Sequence, residues 1–196
     1  MAASSNFGNM FSVVGGSIFL PFLPMLPIQI LSNNMLYDFS QMTIPTDNVD
    51  SGDLLRPKKW DFGNIKKFIL FFGPLSSLFD YATFFVLLYF FGAWHNEVLF
   101  HTGWFVESIV SQTLIVHIIR TSKIPFLESR ASKPLLISTL SVMAIGIYLP
   151  FSPFAEAFKF TALPVYFFVW LFFGLTVYFV FTQMLKMWFV KKYGWV

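Results

Sequence analysis

Six long apolar runs, separated by prolines or by clusters of charge, constrain this chain more than any other feature. They fall at about residues 3–20, 28–43, 68–91, 102–119, 134–149 and 164–185. A helix needs about 20 mainly apolar residues to cross a bilayer, and only a helix or a closed barrel satisfies its own backbone there. The chain is 56% hydrophobic and 12% charged, about half the charge of a soluble domain. The expected fold is therefore all-α, a polytopic membrane bundle of six transmembrane helices. On that reading residues 1–196 form a single transmembrane domain embedded in a lipid bilayer. No cationic stretch precedes the first run, so no cleavable signal peptide is expected.

The charges choose an orientation. Arg56, Lys58, Lys59, Lys66 and Lys67 follow the second run, in an aqueous loop over 45–67 with Asp47, Asp50, Asp53 and Asp61. Arg120, Lys123, Arg130 and Lys133 follow the fourth, and Lys186, Lys191 and Lys192 lie in the tail. Twelve of the thirteen Lys and Arg residues thus share one side, with Lys159 alone opposite. By the positive-inside rule that side is cytoplasmic, and both termini lie on it. Trp94 and Trp104 then fall at the outer interface and Trp60, Trp188 and Trp195 near the inner one, as an aromatic belt requires. The same bias accounts for the net charge of +3 without a nucleic-acid partner.

Polar residues inside the apolar runs carry the chemistry. Asn6 and Asn9 are spaced i,i+3, and Asn34 and Asp38 i,i+4, so each pair shares one helix face. Between them Pro21, Pro24 and Pro27 break the helix, each removing a donor and crowding the preceding turn. Carboxylates and amides at membrane depth are costly and mark ion pathways by default. These four offer hard oxygen ligands without sulfur or imidazole, which suits Mg²⁺ or Ca²⁺ better than a transition metal. The competing reading is that the amides bridge packed helices.

Further polar groups sit in the later runs. Asp80 lies near the middle of the third, where structural hydrogen bonding to serines or amides of a neighbouring helix is the expected role. Gln112, in the middle of the fourth, is a candidate to add one amide oxygen to the ion site. Glu107 is placed nearer the outer interface, where its side chain can reach water, and His117 near the inner end, solvated or packed. With no Cys, disulfides and thiolate chemistry are excluded. No phosphate-cradling glycine loop, zinc spacing or Ser/His/Asp arrangement is present, so the chain shows no hydrolytic machinery.

Several motifs resemble a known family. Ser4-Ser5-Asn6-Phe7-Gly8-Asn9, then Leu26-Pro27-Ile28-Gln29-Ile30-Leu31 and Asn34-Met35-Leu36-Tyr37-Asp38, look like the fifth and sixth membrane helices of P-type cation pumps. The match continues through Arg56-Pro57-Lys58-Lys59-Trp60-Asp61, Phe71-Phe72-Gly73-Pro74-Leu75-Ser76-Ser77 and Gly103-Trp104-Phe105. Ser111-Gln112-Thr113-Leu114-Ile115-Val116-His117, Ile124-Pro125-Phe126 and Ser129-Arg130-Ala131 point specifically to the bacterial magnesium-importing P-type ATPases. The resemblance runs over essentially the whole chain, with its motifs in order.

It implies helices five to ten of such a pump, in the cell's inner (plasma) membrane. Asn6, Asn9, Asn34 and Asp38 then match ion-facing positions, and Gln112 an eighth-helix ligand position more loosely. Calcium pumps have a carboxylate at the place of Asn9 and a threonine at that of Tyr37. One carboxylate with amides fits partly hydrated Mg²⁺, which dehydrates reluctantly. The loop 45–67 matches the segment that touches the family's phosphorylation domain. The family's DKTGT aspartate, TGES loop, nucleotide-binding domain and first four helices are not in this sequence, and Met1 resembles an internal residue of the fifth helix. ATP would therefore act only through domains absent from the chain, and the expected partner is the pump's amino-terminal half. The alternative expectation is a free-standing membrane module, without ATPase activity, that binds or regulates another transporter.

Overall fold

The computed structural model describes residues 2–48 and 62–194. Asp50, Asp53, Arg56, Lys58, Lys59, Trp60 and Asp61 of the long loop, together with Met1 and Trp195, lie outside the described residues. Six α-helices and no strand occur among the described residues: α1 (Ala2–Phe19), α2 (Pro27–Gln41), α3 (Phe62–Tyr89), α4 (Glu97–Ile119), α5 (Lys133–Tyr148) and α6 (Val165–Tyr193). Four of them, α3, α4, α5 with its 3₁₀ extension to Phe151, and α6, are long and apolar enough to cross a membrane. At 15 residues α2 is about 22 Å long, short of a hydrocarbon core about 30 Å thick.

Where helices begin and end departs from the apolar runs, because caps rather than hydropathy set the boundaries. The fourth helix starts at Glu97 rather than near residue 102, since Asn96 caps it by accepting a hydrogen bond from the Leu99 amide at 3.1 Å. The third starts at Phe62 rather than 68, so Lys66 and Lys67 ride on its first turns instead of in the loop. The sixth continues to Tyr193 rather than stopping near 185. Lys186 is therefore a buried helix residue, not part of an exposed tail; its ammonium donates to the carbonyl of Ile118 in the last turn of α4 (2.9 Å) and to that of Lys123 just past it (2.7 Å). At α5, Ser132 accepts from the Leu135 amide at 3.3 Å, with Pro134 in the first turn.

The bundle is built around α4, whose membrane-length window is 94% buried. It packs against α2, α3, α5 and α6, so its apolar character is used on every side. Phe72 and Phe84 of α3 turn inward, whereas Phe85, Phe172, Phe173 and Val169 face outward, where lipid is the natural solvent. Along α3 lies α1, and glycines permit their approach. A Cβ at Gly8 would lie 3.1 Å from the Gly73 carbonyl oxygen, and one at Gly73 would lie 2.6 Å from the Phe7 ring. Ser77 seals the contact by donating to the Gly8 carbonyl at 2.8 Å.

One carboxylate gathers three helix ends. Asp47, expected in open loop, is largely buried just beyond α2. Its Oδ2 receives Arg120, at the end of α4, at 2.7 Å. Its Oδ1 accepts the amide of Ser132, the cap of α5, at 2.8 Å.

Candidate cation site

The proline break over residues 20–26 lets α2 fold back beside α1, and together with α4 they enclose a cavity of about 380 Å³. Its polar lining is amide: Asn6 and Asn9 from α1, Asn33 and Asn34 from α2. Met10, Met25 and the Trp104 indole supply apolar wall. Three of the sequence candidates, Asn6, Asn9 and Asn34, thus share one space. Asp38 does not line it. It is exposed on the flank of α2, in an adjoining hollow of about 380 Å³ with Leu31, Met35 and Phe39, and Asn34 borders both hollows.

Behind the cavity, Ser108 of α4 organises the amides. Its hydroxyl accepts Asn33 Nδ2 at 3.0 Å and Gln112 Nε2 at 2.5 Å, and donates to Asn9 Oδ1 at 3.4 Å. One donor and two acceptor sites are all a hydroxyl has, so Ser108 is saturated. Gln112 is therefore tied to the cavity through this serine rather than lining it. The arrangement leaves the Asn33 Oδ1 and the Gln112 Oε1 buried without a hydrogen-bond partner. Each such orphan costs roughly 1–3 kcal/mol, and both are neutral hard oxygens of the kind Mg²⁺ and Ca²⁺ accept. Among the described residues no three His, Asp or Glu side chains converge, so amides dominate this donor set.

Asp80 and Glu107 meet on the far side of Trp104. Asp80 accepts the indole Nε1 at 3.2 Å through Oδ1 and is hydrogen-bonded to Ser12 through Oδ2. Glu107 does not reach water: it is 5% exposed and its carboxyl lies against Asp80 and Ser111. The physical reason is the early start of α4, which makes Glu107 a mid-helix residue. His117 is packed, 2.9 Å from the Thr139 hydroxyl.

Sequence reasoning missed Asn33, Ser108 and Trp104. Asn33 stood beside Asn34 and Ser108 stood four residues before Gln112, but no periodicity says which neighbour on a buried helix turns toward a cavity.

These amide-lined helices belong to an ion-pump membrane region. Residues 22–188 match the family described as "Cation transporting ATPase, C-terminus", and the chain belongs to that family. Its relatives include the "Magnesium-transporting ATPase, P-type 1" of Escherichia coli (strain K12), 50% identical over 197 residues, and that of Salmonella typhimurium (strain LT2), 49% identical over 197 residues. Both alignments cover 100% of this chain and 22% of the relative. The chain therefore spans about a fifth of the length of the curated relatives it matches. It is a multi-pass membrane protein of the P-type ATPase class, as its order of motifs suggested.

Proposed function

We propose that this chain supplies the carboxyl-terminal half of the membrane pathway of a P-type ATPase that imports Mg²⁺, with α1 to α6 as six spans of one membrane domain. ATP binding and phosphorylation belong to a pump's cytoplasmic domains, and a preceding set of membrane helices closes the open side of the amide cavity. The bacterial inner membrane is the expected home, with both ends of the chain cytoplasmic and the loop 45–67 facing the phosphorylation domain.

One observation carries this reading: a buried amide oxygen of Asn33 stands unpartnered at the wall of an asparagine-lined cavity, and a second, on Gln112, stands unpartnered behind Ser108. The space supports a hydrated ion. Six waters at about 30 Å³ each occupy on the order of 180 Å³, well within about 380 Å³. Asn6, Asn9, Asn33 and Asn34 would replace or hydrogen-bond part of that shell. Gln112 would join on a small rotation, and Asp38 would serve as the charged group at the adjoining entrance.

The test is growth of a Mg²⁺-dependent strain rescued by the complete pump. Asp38→Asn should abolish rescue while sparing expression, and retained transport would remove Asp38 from the pathway. Gln112→Leu keeps the volume but removes the oxygen, and should raise the Mg²⁺ needed for half-maximal transport by about 10–100-fold. An unchanged requirement would return the amides to a purely structural role.

A further inference from the structure

At the end of α4 a histidine is packed in one tautomer with half of its ring unused. His117 is 4% exposed, and its Nε2 lies 2.9 Å from the Thr139 hydroxyl of α5. That hydroxyl has one proton, directed at the carbonyls of Leu135 (2.8 Å) and Leu136 (3.0 Å). Thr139 can therefore only accept from the ring, so the hydrogen sits on Nε2 and Nδ1 is a bare lone pair. Nδ1 is buried and has no hydrogen-bond partner.

A lid covers this ring. Beyond α4 the chain turns back through residues 124–129, closed by the Phe126 amide on the Ser129 carbonyl and the Glu128 amide on the Ile124 carbonyl, each at 3.0 Å. The turn sets the Phe126 ring 5.3 Å from the imidazole, tilted by 35°, and 6.5 Å from the ring of Phe179 on α6. To reach that position Phe126 takes a φ of +66°, a left-handed conformation that a residue with a Cβ resists. The lid is thus held shut against its own backbone preference.

The surrounding charges leave no place for another buried cation. Arg120, one turn further along α4, is committed to the Asp47 carboxylate at 2.7 Å and to the Ser129 hydroxyl at 3.1 Å. Its guanidinium repels positive charge on His117, and Asp47 attracts it. Thr139 on α5 and the Phe126 and Phe179 rings are uncharged. Lys186 of α6 is directed at the Ile118 and Lys123 carbonyls, and Lys123, Glu128 and Arg130 of the loop are exposed.

We propose that His117 is a proton-operated latch on the α4–α5 loop: with Nδ1 bare the Phe126 ring closes over it, and a proton gained there opens residues 124–129. The step forms one bond. A hydronium ion gives its proton to the Nδ1 lone pair and becomes water, while Nε2–H stays on Thr139. The imidazolium then presents a buried donor without an acceptor, one turn from a guanidinium whose counter-charge is already taken. Lifting Phe126 admits water to Nδ1 and lets the backbone leave the left-handed region. Arg120 loses Ser129 as the turn opens, and the junction at Asp47 slackens with it. Loss of the proton reverses each step. The latch is independent of what occupies the amide cavity.

Hydrogen exchange of the complete ATPase carrying this chain, in lipid nanodiscs and corrected for the intrinsic rate at each pH, provides the test. In the wild type, peptides spanning 124–129 should be protected at about pH 8 and lose protection below about pH 6.5, approaching tenfold per pH unit. The core of α4 should stay protected throughout. His117→Gln keeps a donor for Thr139 but cannot titrate, and should hold the loop closed across the range. Phe126→Gly removes the covering ring and should leave the loop equally open at both ends of the range. A wild type without the acid step, an equal step in either variant, or a loss shared by the core of α4 overturns the latch. Should His117→Gln already be unprotected at about pH 8, the wild type and Phe126→Gly decide.

Discussion

A single hydroxyl decides how the amides are presented. Ser108 holds Asn9, Asn33 and Gln112 at once, so Ser108→Ala strands two buried amide donors and an acceptor. Membrane hydrogen bonds average about 0.6 kcal/mol and reach about 1.7, so thermal unfolding of the purified pump should show a loss of about 1–3 kcal/mol. Mg²⁺ affinity should fall with it, whereas Ser108→Thr should retain most of both. Unchanged stability in Ser108→Ala would show that these contacts carry no net energy. At this scale the sequence was partly legible. Spacing alone phased Asn6 with Asn9 and Asn34 with Asp38; Asn6, Asn9 and Asn34 border one cavity, whereas Asp38 does not. Asn33 could not be phased this way, because the 100° step between consecutive helix residues leads toward α4 only once the helices are packed. Glu107 was misplaced because its depth was measured from where apolarity begins rather than from the Asn96 cap.

Helices, as elements, were easier to foresee than their ends. Apolar runs announced all six, since long runs bury or face lipid whatever their neighbours. The ends were obscured by polar residues that prolong a helix without raising its hydropathy: Asn64, Lys66 and Lys67 in α3, Lys186 and Lys191 in α6. The contact of α1 with α3 was not written in any pattern, because glycines at Gly8 and Gly73 signal close approach only when brought face to face. Gly8→Leu tests that contact. Its Cβ would meet the Gly73 carbonyl, backbone that cannot rotate away, so α1 should be displaced at a cost of about 1–3 kcal/mol. Reduced thermal stability together with weakened Mg²⁺ binding is expected, because Asn6 and Asn9 travel with α1. A variant of unaltered stability would mean the helices are not held this closely.

For the molecule as a whole, the distribution of cations is the signal on which the proposed orientation rests. The absence of Cys from this chain makes the assignment directly measurable. In a pump whose other cysteines have been removed, His95→Cys should react with an impermeant thiol reagent added outside intact cells. Glu128→Cys should react only after the membrane is opened. The opposite pattern would invert the proposed orientation. What the cation count could not convey is that some charges are structural. Arg120 is 4% exposed and bound to Asp47, so Asp47→Ala leaves a buried guanidinium without its counter-charge. Such losses cost about 3–5 kcal/mol, and a clear drop in denaturation temperature should follow. Asp47→Glu should recover part of it.

The position of that aspartate has a mechanical corollary. It works as a rivet through the exit of α2, the last turn of α4 and the first of α5, so those three ends share one anchor. A pull on the chain downstream of Asp47 is therefore borne by the central helix as well as by α2. The helix that shares this anchor is the one that carries Ser108 and Glu107.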